Sequence, residues 1–164
     1  MFHAVGVTPE ALKEDPFHGN EPKGTLRIDR EMLEDVKRNV MTTKDPGEPD
    51  LAVTGCPHSS MDECVKVAEL FRGRKVREGK AFWLFTTLEN SNLLDRMGLR
   101  KGLLDAGVRI MAQTCLVISP LVGNYKSLIT DSGKFASYLP SEHHVKLTFT
   151  DLEKCVEAVT KEDK

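Results

Sequence analysis

The sequence predicts an α/β fold: an open, mostly parallel sheet with flanking helices, preceded by a short irregular and helical N-terminal segment. Three observations carry this. Five short apolar runs, at 51–53, 81–85, 108–112, 127–129 and 145–149, recur between amphipathic stretches. Each run stops at polar or turn-forming residues. Strand and helix patterns alternate, which argues for parallel strands joined by right-handed crossovers.

The elements follow in order. Phe2, Val5 and Val7 are apolar. Thr8-Pro9-Glu10 then reads as an N-cap, a proline at the first helical position and an acidic first turn. Residues 15–24 are turn-rich, with Asp15, Pro16, Gly19, Asn20, Pro22 and Gly24. Residues 29–40 suit a helix with Met32, Leu33, Val36 and Val40 on one side. Lys44-Asp45-Pro46-Gly47-Glu48-Pro49 breaks it and reads as a linker. The expected organisation is therefore an N-terminal extension and linker over 1–49 and an α/β domain over 50–164.

Within that domain the first strand, Leu51-Ala52-Val53, stops at Gly55-Cys56-Pro57-His58. Ser60 and Glu63 have capping-box spacing and open a helix with Cys64, Val65, Val67, Ala68 and Phe71 on one face. Ala81-Phe82-Trp83-Leu84-Phe85 is a buried-strand run ending at Thr86-Thr87. A helical stretch with Leu93, Leu94, Met97, Leu103 and Leu104 ends at Gly107, and Gly98 divides it in two. Val108 to Ala112 is the third strand, Ser127-Leu128-Ile129 the fourth and Val145 to Phe149 the fifth. Thr150 and Glu153 predict a second capping box, opening a helix with Leu152, Cys155, Val156 and Val159 inward.

Composition narrows the class. The 164 residues are 40% hydrophobic and 29% charged, enough for a self-sufficient core and without a disorder signature. With 23 Lys and Arg against 25 Asp and Glu, the net charge of −2 offers no basic excess for nucleic-acid binding. No apolar run has membrane-spanning length. The start lacks a signal peptide's basic and apolar regions, so the expected location is the cytoplasm. The four cysteines, at 56, 64, 115 and 155, form no C-x-x-C pair. In a reducing compartment they are core thiols or ligands gathered by folding.

In an open α/β sheet, ligands bind outside the carboxyl ends of the strands. Cys56 and His58 follow the first strand, Cys115 the third, and Ser132 and Lys134 the fourth. Thr130-Asp131-Ser132-Gly133-Lys134 places a lysine and backbone N–H groups where a helix begins, which suits an anion. It is not a Walker loop, because residue 128 is leucine where that motif needs glycine. The same segment also reads as a turn with a solvated lysine. His58 reads as acid, base, ligand or helix cap. Cys115 reads as a small buried hydrophobe or a thiolate ligand, while Cys155 and Cys64 lie on apolar helix faces and read as core. His143-His144 reads as a solvated turn.

The motifs also match a family. Phe2 to Ala11 resembles a stretch near the middle of the aconitase X catalytic large subunit. Gly55-Cys56-Pro57-His58-Ser59-Ser60 is similar to that family's Gly-x-Pro-His-x-Ser. Gln113-Thr114-Cys115 followed by Pro120 resembles its Asp-Thr-Cys block, and Thr130 to Pro140 its Thr-Asn-Ser-x-Lys…Tyr-x-Pro segment. Asp151 to Val156 resembles its closing Leu-x-x-Cys. The five motifs occur in family order across nearly the whole chain. Gln113 stands where the family has Asp, and Asp131 where it has Asn.

The resemblance implies an aconitase-type domain of a hydro-lyase. Archaeal members dehydrate mevalonate 5-phosphate in a route to isoprenoids, and bacterial members dehydrate cis-3-hydroxyproline. Gly73-Arg74-Lys75-Val76 and Tyr138-Leu139-Pro140 look more like the archaeal type. It further implies an iron–sulfur cluster, 4Fe-4S, with Cys115 and Cys155 as ligands here. A third cysteine comes from a Cys-x-Pro-Tyr motif in the family's N-terminal half. Cys56 replaces it only by rearrangement. His58, Ser132 and Lys134 would bind a small anionic substrate. The implied partners are an N-terminal-half chain and a small swivelling subunit, and the chain alone would be inactive. The alternatives are a cis-3-hydroxyproline dehydratase-like fragment and a non-catalytic relative that binds an anion or a partner. Apolar residues of 1–40 discriminate: packed on the sheet they close the domain, exposed they await a partner.

Overall fold

The structure, a computed structural model, describes residues 3–13, 15, 17–40 and 47–162. Phe2, Pro16 and the Lys44-Asp45-Pro46 part of the expected linker lie outside them. In chain order, α1 (Pro9–Lys13) and α2 (Arg30–Val40) precede β1 (Leu51–Ser59), α3 (Met61–Leu70), β2 (Arg74–Val76) and β3 (Ala81–Thr86). Then come α4 (Leu88–Arg96), α5 (Leu99–Asp105), β4 (Val108–Ala112) and a 3-10 turn at Pro120–Asn124. The chain continues with β5 (Ser127–Thr130), α6 (Gly133–His143), β6 (Lys146–Phe149), α7 (Leu152–Val159) and β7 (Thr160–Glu162).

Two compact units are present, Met1–Leu33 and Glu34–Lys164, and their division falls within α2. In the first, the Asp15 carboxylate accepts the N–H groups of Phe17 at 3.0 Å and Gly19 at 2.6 Å, closing the expected turn. These bonds hold its pKa below the usual carboxylate value. Helix α1 begins at Pro9, but the Thr8 hydroxyl accepts the Ala4 N–H at 2.8 Å. Apolar side chains stay in solvent: Val5 is 77% exposed, Leu26 75% and Ile28 65%. On α2, Leu33 and Val36 are 60% and 56% exposed, and the helix buries no residue.

The second unit is built on a five-stranded parallel sheet of order β4-β3-β1-β5-β6. Alternation along the strands sends side chains to two cores. Ala52, Phe82, Leu84, Val108 and Ile129 face one side, where Cys64 and Val67 of α3, Leu94 of α4, Leu103 of α5 and Cys155 and Val156 of α7 cover them. Leu51, Val53, Trp83, Phe85, Leu128 and Leu147 face the other, under Phe135, Ala136 and Leu139 of α6. Both faces being covered explains the near-continuous apolar strands. Burying each such side chain contributes roughly 1.5–3 kcal/mol.

Local signals position these elements. The Ser60–Glu63 capping box is present, and Gly98, at φ +72, divides α4 from α5. The second expected box is absent. Asp151 is the N-cap of α7, the Thr150 N–H extends the β5–β6 ladder to Thr130 C=O at 2.9 Å, and Glu153 pairs with Lys66 at 2.7 Å. Antiparallel β2 and β7 have no counterpart in the sequence reading, because three-residue strands, Arg-Lys-Val and Thr-Lys-Glu, carry no apolar period. Among the described residues, no helix is long and apolar enough to cross a membrane.

The order of strands reverses direction beside β1. From β1 the chain steps outward through β3 to β4, then returns to β5 on the other side of β1 and steps to β6. The crevice between the carboxyl ends of β1 and β5 is therefore a topological switch point. Here β1 leaves its register with β3 after Thr54 and rejoins at Ser59–Thr86. Gly55 makes this possible: it has φ +94, and a Cβ there would lie 2.1 Å from Phe85 O. Gly55→Ala is expected to destabilise the protein by about 3 kcal/mol or more, read as a lower urea midpoint at unchanged m-value.

Candidate functional site

Between Thr54 and Ser59, β1 runs out of register with β3 in the middle of the sheet's carboxyl edge. Three neighbouring segments hold it. On the β5 side, the Ser132 hydroxyl donates to Cys56 C=O at 2.8 Å and accepts the Phe135 N–H at 3.3 Å. Ser132 is thus the N-cap of α6, with both functions of its hydroxyl engaged. On the β4 side, His58 Nε2–H donates to Thr114 C=O at 3.1 Å. Below, the Thr86 hydroxyl and the Asn90 amide donate to Ser59 C=O at 2.8 and 3.0 Å. The β4 segment turns at Gln113, at φ +51, whose N–H reaches Thr86 C=O at 3.1 Å. Further along, His143 Nε2–H donates to Val117 C=O at 2.6 Å, so His143 is a half-buried strut and not a solvated turn.

Two adjoining clefts open on this frame. One, of about 210 Å³, is lined by Cys56, Pro57, His58, Thr114, Cys115 and Lys134, among others. The second, about 270 Å³, is bounded by Thr54, Cys56, His58, Glu63, Asp131 and Ser132. Cys56 and Cys115 are free, half-buried thiols on the first cleft. Burial pushes the Cys56 thiol up, the nearby Lys134 ammonium pulls it down, and Cys115 pushes it up again. Cys56 therefore senses both neighbours across the cleft. Lys134 is exposed at the first turn of α6, where it adds a mobile cation to the helix's N–H groups.

The structure separates residues that the sequence reading paired. Cys155 is fully buried, in the core on the opposite sheet face from Cys115's cleft. Burial first, then Asp131, Asp151 and Glu153, push its thiol far above its ordinary pKa. It packs as an apolar residue. Cys64 does the same and donates to the Thr86 hydroxyl at 3.4 Å. The cysteine that joins Cys115 is Cys56. Its signal was legible: both end a strand on the same edge. Cys155 is kept from that cleft because α7 packs on the other face of the sheet.

Asp131 is the polar residue that residue pattern alone passes over. It lines the second cleft, its Oδ1 is buried without a hydrogen-bond partner, and the Thr54 hydroxyl bonds the carboxylate. Burial raises its pKa most, Glu63 raises it further, and Thr54 and Lys66 oppose. Among the described residues no group of three or more His, Cys, Asp or Glu could by itself hold a metal ion. Cys56 and Cys115 are the two thiols of the first cleft that could contribute to a metal centre.

Comparison with known proteins agrees with this layout. The model of the aconitase X third domain matches residues 49–161. The phosphomevalonate dehydratase large subunit of Methanosarcina mazei is 31% identical over 160 residues, 98% of this chain and 37% of that protein. The cis-3-hydroxy-L-proline dehydratase of Pseudomonas aeruginosa is 34% identical over 164 residues, 96% of this chain and 28% of its own. The crystal structure of Thermococcus kodakaraensis aconitase X in its holo-form superposes with a TM-score of 0.79 at 25% identity, over 94% of this chain and 38% of that one. The chain thus spans little more than a third of the length of the M. mazei relative. It belongs to the aconitase X family.

Two outcomes test the site's electrostatics. Ellman's reagent should titrate Cys56 and Cys115 in the native protein and all four cysteines only in denaturant. A raised carboxyl pKa favours the fold below the unfolded value of 3.8 and loses that contribution as pH rises through the folded value. Asp131→Asn should therefore raise Tm at pH 7, with the gain disappearing below pH 3.8.

Proposed function

We propose that this aconitase X chain is the part of a hydro-lyase that holds two thiolates of an iron–sulfur cluster and the anionic end of its substrate. The observation that carries the reading is the shared cleft of Cys56, Cys115 and Lys134 at the switch-point edge. Cys56 and Cys115 fit as ligands; Cys155 does not, being buried on the other face. A third cysteine comes from residues outside this sequence, on the same polypeptide or another. When bound, a three-cysteine cluster supplies an open iron, a Lewis acid for a leaving hydroxyl.

This chain's own contribution is positioning and charge. The Lys134 ammonium, backed by the N-terminus of α6, holds the substrate's anionic group. Ser132 caps that helix and fixes the Cys56 carbonyl. The apolar side chains exposed before residue 40 support docking to the rest of the large subunit, with a small subunit completing the enzyme. The substrate is read as mevalonate 5-phosphate, on the similarity to phosphomevalonate dehydratase large subunits. Asp131 favours a second reading. A buried carboxylate in the adjoining cleft would complement an ammonium, as in cis-3-hydroxy-L-proline.

The test is anaerobic reconstitution with iron and sulfide, read by visible absorption. It uses the chain with polypeptides equivalent to the remainder of its relatives and to a small subunit. Cys56→Ala and Cys115→Ala should abolish the absorption, and Cys155→Ala should retain it. In the loaded complex, Lys134→Ala should raise KM about 10- to 100-fold, the worth of a charge-assisted hydrogen bond. A folded complex with no absorption in any combination would leave a non-catalytic anion- or partner-binding protein.

A further inference from the structure

The sequence placed His58 among substrate-binding residues, yet its imidazole is already engaged. Nε2 lies 3.1 Å from Thr114 C=O, a group that can only accept, so Nε2 carries the proton and donates. The two residues joined are separated by 56 positions in the chain. His58 lies two residues after Cys56, and Thr114 immediately precedes Cys115. The bond therefore ties one thiol-bearing loop directly to the other. Each loop has a second fixed point behind it: Ser132 holds Cys56 C=O, and the Gln113 N–H is held by Thr86 C=O. Without the imidazole, the described residues provide no other side-chain hydrogen bond between the segments 55–58 and 113–115.

We infer that His58 is a positioning residue, whose bond to the Thr114 carbonyl sets the spacing of the Cys56 and Cys115 thiols. The inference rests on the reading of those two cysteines as a ligand pair. The physical argument is preorganisation. Two thiolates on independent loops must lose freedom when a metal joins them, and a cross-loop bond made beforehand removes part of that loss. Outer hydrogen-bonding partners of metal ligands are worth about 10- to 100-fold in affinity. Asparagine and glutamine carry a side-chain N–H that can make the same bond, whereas alanine cannot.

The experiment titrates the full chain, reduced and under anaerobic conditions, with Cd²⁺ alone, following the ultraviolet charge-transfer band of cadmium thiolates. The wild type should show a saturable band that Cys56→Ala and Cys115→Ala each remove. His58→Ala should weaken Cd²⁺ binding about tenfold or more, with Tm and the number of Ellman-reactive thiols unchanged. His58→Gln should recover most of the affinity. Wild-type affinity in His58→Ala, with the band still lost in both cysteine variants, overturns the positioning role and leaves the ligand pair standing. Gln behaving no better than Ala also overturns it, because the imidazole would then be a ligand itself. A band that survives both cysteine substitutions overturns the ligand pair and this inference together.

Discussion

The close approach of Gly55 to the Phe85 carbonyl is the constraint on which the functional edge depends. A parallel ladder would carry β1 straight past its neighbours and leave no loop at its end. With no Cβ and φ +94, Gly55 lets the strand step out of the ladder and rejoin at Ser59–Thr86. The four residues Gly55 to His58 are thereby taken out of the ladder with β3 at the strand beside which the order reverses. Any bulkier residue would strike backbone, not a side chain that could turn away. Gly55 to His58 line both of the clefts at that edge.

That irregular stretch of β1 is fixed from several sides by hydrogen bonds that end on carbonyls. Ser132 reaches Cys56, His58 reaches Thr114, and Thr86 with Asn90 reaches Ser59. The residues expected to touch substrate differ in what already engages them. Ser132 and His58 are occupied in holding the frame, and Lys134 is the cation that faces the cleft.

The sheet also sorts the cysteines. Each face of a parallel α/β sheet is a separate apolar compartment, and only the carboxyl edge is shared between elements and solvent. Cys64 and Cys155 enter from helices beneath the sheet and end in the core. Cys56 and Cys115 come from strand ends and meet at the edge. A thiol on a helix's inward face is held several ångströms into apolar packing, with nearby carboxylates making its ionisation costlier still. Val5, Leu26, Ile28, Leu33 and Val36 are the reverse case, apolar side chains that are exposed.

The five parallel strands, the helices between them, the Ser60 capping box and the break at Gly98 were all legible in the sequence, because periodicity and capping act over a few residues. The strand ends as the site's location followed from the same alternation. Family motifs identified the residue types. What the sequence did not contain was partnership. Thr150 and Glu153 had capping-box spacing but were drawn to Thr130 and Lys66. Asp131 was a loop residue until burial, with Glu63 nearby, raised its pKa against the opposing Thr54 bond. Cys155 carried a motif, yet α7 packs on the other sheet face, whereas Cys56 meets Cys115 at the carboxyl edge, where the His58–Thr114 bond joins their segments. Local propensity is written in neighbours along the chain; which thiols share a cleft depends on which face of the sheet each element covers, and only the packed structure decides that.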